Sequence, residues 1–150
     1  MKLHTIYRTQ RIFSDLKKIW SFFSSPLNLA TITPKWLNFT VLSEIPEKMY
    51  EGIIIEYKIT PLLNIPVKWI TEITHIKEPY FFVDEQRFGP YKFWHHKHFF
   101  IQKDGFVEMI DKVDYILPYG IFGEMIHPYV AEKLKEIFDY RQKKVDEIFN

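Results

Sequence analysis

Hydrophobic and polar positions change period twice along this chain. Over residues 2–12 they alternate, Leu3, Thr5, Tyr7 and Thr9 against His4, Ile6, Arg8 and Gln10, which predicts a strand. Ser14 and Asp15 then offer an N-cap, and Leu16, Ile19, Trp20 and Phe23 recur at helical spacing until Pro26 stops the run. A second helical turn over residues 26–32 ends before Pro34. From residue 37 to 117 period two returns, with turn residues at Pro46, the Pro61 to Pro66 stretch, Glu78-Pro79, Gly89-Pro90 and Asp104-Gly105. Six strands are predicted there, at residues 37–45, 50–60, 66–77, 80–88, 92–103 and 105–117. Their short connections imply an antiparallel meander. Residues 121–149 place Phe122, Met125, Ile126, Tyr129, Val130, Leu134, Ile137, Phe138, Val145 and Ile148 on one stripe, a long amphipathic helix. Pro128 is expected to break or kink it near His127.

A sheet with one apolar face and a helix with one apolar stripe cover each other when the sheet curls and the helix lies across its concave side. The predicted fold is therefore α+β and of helix-grip type. It has a seven-stranded curved antiparallel sheet, two short helices after the first strand, a long C-terminal helix and an internal cavity, all in one domain over residues 1–150. Composition sharpens this. The chain is 47% hydrophobic, with 14 Phe, 9 Tyr and 4 Trp, enough rings to line a cavity as well as fill a core. Twenty Lys+Arg against 19 Asp+Glu leave a formal charge of +1, without the basic excess that nucleic-acid backbones require. The lack of cysteine excludes disulfides, thiolate catalysis and Cys-ligated zinc. The first residues carry no apolar leader, and no run of about 18 apolar residues marks an integral membrane segment, so a soluble, cytoplasmic protein is expected. No pattern sets its oligomeric state.

Because unpaired buried charge is costly, the charged parity of each strand marks its solvent face. In residues 50–60, Glu56 and Lys58 leave Ile53, Ile55, Tyr57 and Ile59 inside. In 80–88, Glu85 and Arg87 leave Phe82, Asp84, Gln86 and Phe88 inside. In 92–103, Lys97 and Lys103 leave Trp94, His96, His98 and Phe100 inside. In 105–117, Glu108, Lys112 and Asp114 leave Met109, Asp111, Val113, Tyr115 and Leu117 inside. Three neighbouring strands thus bring inward polar groups together.

Four kinds of chemistry use such a set. Carboxylates can orient imidazoles in a buried network that only secures the sheet. The same groups can be the few polar contacts that orient a ligand in an apolar pocket. His96-x-His98 puts two imidazoles ~7 Å apart at the Cα on one strand face, and with Asp84 or Asp111 that suits a metal ion. Finally, His96 or His98, poised by Asp84 or Asp111, could move protons. The first two account for the residues without a metal or cofactor, and none is expected. No phosphate loop or nucleophile elbow accompanies them. His95 belongs outside beside Lys97, and His127-Pro128 reads as helix punctuation. Lys133, Lys135, Arg141, Lys143 and Lys144, interleaved with Glu132, Glu136, Asp139 and Asp146, read as a solvated helix face.

Several segments together resemble a known family: Phe82-Val83-Asp84-Glu85-Gln86, Gly89-Pro90-Tyr91, Trp94-His95-His96-Lys97-His98-x-Phe100, Asp111-x-Val113-x-Tyr115-x-Leu117-Pro118-x-Gly120 and Ile137-Phe138-Asp139-Tyr140-Arg141. Over nearly the whole chain they are similar to the bacterial ligand-binding SRPBCC proteins. These fall within the START-like helix-grip superfamily, alongside the birch pollen allergen, polyketide cyclases and lipid-transfer domains. The resemblance implies the helix-grip fold and a small hydrophobic or amphipathic ligand, and it brings no substrate. Carriage, sequestration or sensing of such a ligand is the expected function. Its walls would come from Ile53, Ile55, Tyr57, Trp69, Phe82, Trp94, Phe100, Met125 and Tyr129, and its orientation from Asp84, Gln86, His96, His98, Asp111 and Tyr115. Access is expected near Tyr119, Gly120, Ile121, Phe122 and Gly123, where two glycines flank large side chains. Two alternatives stand beside it. One is a cyclase or dehydratase-type enzyme working through His96 or His98 with Asp84 or Asp111; the other is a protein-interaction or chaperone-regulating module.

Overall fold

The computed structural model describes residues 1–150, the side chain of Leu62 excepted. Strand β1 (His4–Ile12) is followed by helices α1 (Leu16–Phe23) and α2 (Pro26–Leu29), a 3-10 turn (Lys35–Leu37) and the short strand β2 (Thr40–Val41). Strands β3 (Ile54–Leu62), β4 (Ile65–Lys77), β5 (Phe81–Phe88), β6 (Phe93–Lys103) and β7 (Phe106–Ile116) lead to helix α3 (Ile121–Phe149). All seven strands form one antiparallel sheet in the order β1-β7-β6-β5-β4-β3-β2, so β1 returns to pair with the last strand of the meander. No helix among the described residues is long and apolar enough to cross a membrane.

Local chemistry explains most of these boundaries. The Asp15 carboxylate accepts from the backbone N–H groups of Lys17 and Lys18 at 3.0 and 3.2 Å, starting α1 with Ile19 and Trp20 on its buried face. The β3–β4 hairpin turns on Leu63 and Asn64, both left-handed with φ of 50° and 53°, as a two-residue hairpin requires. Pro61 and Pro66, read as turn residues, lie instead within the flanking strands.

Two expectations need correction. The strand predicted over residues 37–45 shrinks to Thr40–Val41, because Asn38 turns left-handed (φ 49°) after the 3-10 turn and its amide donates to Thr60 Oγ1 at 2.8 Å. Past the strand, the Ser43 hydroxyl accepts from the Glu56 N–H at 2.7 Å, a side-chain substitute for a ladder bond. The break expected at Pro128 is absent: α3 runs unbroken through it for 29 residues. One proline removes a single intrahelical bond, and this one lies only seven residues into a helix whose later turns are anchored on the sheet through Leu134, Phe138 and Val145.

That anchoring is uneven. Leu134, Phe138 and Val145 are buried against the sheet, and Phe149 packs against Phe22 and Phe23 with ring centroids 5.3 and 6.4 Å away. The first turns stand clear, leaving Ile121, Phe122 and Met125 exposed. They are held from below at Gly123, where a Cβ would stand 2.1 Å from the Pro118 carbonyl oxygen. Backbone cannot yield as a side-chain tip can. Gly123→Ala should therefore destabilise the protein by about 1–3 kcal/mol despite alanine's better helix propensity, seen as a lower urea midpoint at constant m-value.

The interior has two filled ends. At one, Trp20 stands edge-on to Phe82 and Phe100 at 5.8 and 6.0 Å, among Ile12, Ile19 and Val107. At the other, Trp94, Val113, Tyr115 and Leu117 meet Leu134 and Phe138 of α3.

Candidate functional site

Between sheet and helix lies a cavity of about 720 Å³, the size of a small-molecule site. Ile55, Tyr57 and Ile59 of β3 form one wall, continued by Val67, Trp69, Thr71 and Ile73 of β4. Leu134, Ile137 and Phe138 of α3 face them, while Phe22, Phe23 and Ile32 close the end towards α1 and α2. Trp36, Ile65, Phe88, Tyr119 and Tyr129 also touch the cavity while remaining substantially exposed, so they form its mouth.

One corner of this apolar chamber is ionic. The register places Asp84 of β5 directly opposite His96 of β6, and His98 of β6 directly opposite Asp111 of β7. The strong hydrogen bonds nevertheless run along the diagonals, which long side chains on one sheet face can reach. His96 Nε2 bonds Asp111 Oδ1 at 2.7 Å, and His98 Nε2 bonds Asp84 Oδ2 at 2.5 Å. The directly opposed atoms stand farther apart, His96 Nδ1 at 3.6 Å from Asp84 Oδ2 and His98 Nδ1 at 3.4 Å from Asp111 Oδ1. The two imidazole rings lie 3.7 Å apart, tilted by 30°. Arg141 of α3 completes the set, with Nη1 3.8 Å from Asp111 Oδ1 and its guanidinium over the Phe138 ring.

Burial opposes every charge here, and the partners decide which charges survive. For Asp84 and Asp111, His96, His98 and Arg141 outweigh desolvation and hold both carboxyls below their usual range. Burial lowers the His96 pKa and the His98 charge beside it lowers it further, beyond what the two carboxylates restore. Burial works against His98 as well, but Asp111 and Asp84 raise it above the ordinary histidine value. The two carboxylates thus favour the charged form at His98, while burial and the neighbouring ring favour the neutral form at His96. His98 Nδ1 and Arg141 Nε are buried without a hydrogen-bond partner among the described residues. Tyr57, buried and facing Asp84, has its hydroxyl pKa pushed up by desolvation and then by that carboxylate.

The expected ligand-binding residues divide into two groups. Ile55, Tyr57, Trp69, Phe82, Asp84, Trp94, His96, His98 and Tyr129 line the cavity. Ile53 and Phe100 point inward but are absorbed into the filled core. Asp111 lies behind the histidines, on a small void with Arg8 and Arg141 rather than on the cavity. Gln86 is occupied by the β5–β6 turn, donating to the Tyr91 carbonyl at 2.6 Å and accepting from its N–H at 3.1 Å. Tyr115 points inward, yet its hydroxyl meets His127 Nε2 at 3.0 Å, and His127 in turn stacks on His4 at 3.6 Å. Phe122 and Met125 lie in solvent, since the first turns of α3 rise away from the sheet. Two residues read as bland take part. His127 is a hydrogen-bonding partner rather than mere punctuation, and Arg141 leaves the solvated face to point at Asp111 with 12% of its side chain exposed. The spacing Leu134, Phe138, Arg141, Val145 is itself the buried helical stripe, so position rather than charge type is the signal that marks it.

No protein-family model matches the chain, and no curated protein matches its sequence. Solved structures do share its architecture. A protein of Thermus thermophilus superposes with a TM-score of 0.73 at 14% identity, over 96% of this chain and 95% of that one. The ginseng major latex-like protein 151 of Panax ginseng gives 0.71 at 12% identity over 99% and 98%, and Ara h 8.0201 gives 0.63 at 16% over 97% and 99%. The fold is the Bet v1-like helix grip.

Proposed function

We propose that the chain binds a small hydrophobic or amphipathic molecule in this cavity, its apolar body among Ile55, Trp69, Ile73 and Phe138 and its polar head at Asp84, His96 and His98. A single observation carries this: a 720 Å³ chamber walled almost wholly by apolar side chains and polar at one buried corner. A filled hydrophobic core has no such chamber, because a void forfeits contact on every lining atom. The helix-grip fold and the SRPBCC resemblance of the sequence support the same use. Carriage, sequestration and sensing all require this binding step. Native mass spectrometry of freshly purified protein, followed by denaturing extraction, should release a stoichiometric organic molecule and identify its class.

A titration tests the cavity directly. The neutral fluorophore 1-aminoanthracene should bind the wild-type chain with quenching of Trp69 and Trp94, both of which line the chamber. Val67 faces the same space, so Val67→Trp should fill part of it and weaken binding by at least about tenfold, or 1.4 kcal/mol. Equal affinity in the folded variant would place the fluorophore elsewhere and overturn the proposal.

A further inference from the structure

The geometry points to a divalent metal site formed by Asp84, His96 and His98, of the two-histidine, one-carboxylate type and open towards the cavity. One oxygen and one nitrogen from each ring, all within 4.8 Å of one another, converge from two adjacent strands. His96 Nδ1 and His98 Nε2 both face the same atom, Asp84 Oδ2, at 3.6 and 2.5 Å. The remaining nitrogens, His96 Nε2 and His98 Nδ1, both face Asp111 Oδ1, at 2.7 and 3.4 Å. That division is what an imidazole-ligated ion needs. Each ring presents one nitrogen to the metal and turns the other towards an outer carboxylate, which fixes its tautomer and raises its basicity. Asp111 is placed for that outer role, behind the rings and against Arg141, whereas Asp84, His96 and His98 line the cavity.

The distances suit the ion. Ligand atoms bonded to one zinc at about 2 Å stand roughly 3–3.5 Å apart. His96 Nδ1 and Asp84 Oδ2, at 3.6 Å, stand just beyond this separation, and the 2.5 Å His98–Asp84 contact needs to open by under about 1 Å to admit the ion. An N,N,O donor set without thiolate or a second carboxylate suits Zn²⁺ or another late first-row divalent ion, in preference to Ca²⁺ or Mg²⁺. A free coordination position at the polar corner would turn that corner from an orienting group into a Lewis acid.

The test uses the intact chain after dialysis against a chelator, with metal alone and no organic molecule, so its outcome is independent of the binding proposal. Calorimetric titration with ZnCl₂ should give one ion per chain, and CoCl₂ should develop a visible d–d band that zinc abolishes. His96→Ala, His98→Ala and the isosteric Asp84→Asn should each raise the Zn²⁺ Kd by more than the roughly 10–100-fold an outer-shell carboxylate is worth. His95→Ala removes an imidazole paired with Glu85 on the outer face and should bind as the wild type does. No stoichiometric zinc binding by wild type, or binding that survives Asp84→Asn in a folded protein, would overturn the proposal. The first result would leave a hydrogen-bonded network, and the second would move the ion elsewhere on the chain.

Discussion

Asp111→Asn should destabilise the metal-free protein by about 3–5 kcal/mol, lowering Tm by on the order of 10 °C. The side chain keeps its shape and loses its charge, so packing barely changes and the effect isolates electrostatics. In the native protein that carboxylate accepts from His96 Nε2 at 2.7 Å and faces both His98 Nδ1 and the Arg141 guanidinium from within 4 Å. Without it, His96, His98 and the Arg141 guanidinium lose the carboxylate they face, and removing one partner of a buried set costs far more than the set contributes relative to apolar residues. Differential scanning calorimetry at fixed pH measures the loss. A change below about 1 kcal/mol would show that water reaches the corner and screens it as at a surface. The same substitution should weaken zinc binding by about 10–100-fold, short of the loss expected at Asp84.

Phe100→Ala should cost about 3–5 kcal/mol in stability while leaving 1-aminoanthracene affinity little changed. Phe100 is 1% exposed, edge-on to Trp20 at 6.0 Å and stacked on Phe82 at 6.3 Å. It lies in the filled end of the interior, where no rearrangement short of moving α1 could close the gap that truncation leaves. Chemical denaturation gives the first quantity and the fluorophore titration the second. The pair separates core from cavity, since Val67→Trp should show the opposite balance. Weakened fluorophore binding by the folded Phe100 variant would mean that the two regions behave as one.

Strand alternation carries far because its period is a property of the backbone. Once Lys97 and Lys103 are assigned to solvent, Trp94, His96, His98 and Phe100 must share the other face, and all four are buried. The same logic holds for Ile53, Ile55, Tyr57 and Ile59, and for Met109, Asp111, Val113, Tyr115 and Leu117. Parity, however, says only that a side chain points inward. Whether it meets a cavity, a core or another side chain depends on elements distant in sequence. Phe100 and Ile55 have identical signatures, yet α1 covers the first and a chamber opens before the second. Tyr115 has the pattern of a ligand-orienting residue, and α3 supplies His127 to its hydroxyl instead.

Helix α3 shows the same division at its two ends. Its amphipathic stripe is legible from Phe122 to Ile148, but a stripe has no mark for where the partner surface stops. The sheet falls away before the first turns, which strands Phe122 and Met125 in solvent, while the Pro118 carbonyl pins the chain at Gly123. Arg141 is hidden for the complementary reason: a charged residue on an apolar stripe reads as solvated until a buried carboxylate is seen opposite it.

Residue spacing is enough to place most of the strands and the C-terminal helix, though not the extent of β2 or the continuity of α3 through Pro128, and to give the inward set of Asp84, His96, His98 and Asp111 and the helix-grip fold that unites them. Those follow from local periodicity and from the rule that apolar faces must be covered. It takes the folded chain to show that the hydrogen bonds of the ionic corner run along diagonals, that Asp84 faces the cavity while Asp111 stands behind with Arg141, and that two nitrogens and an oxygen converge on one point. Such relations depend on angstrom-scale register and on where a helix crosses a sheet, and neither is written in the spacing of residues along a chain.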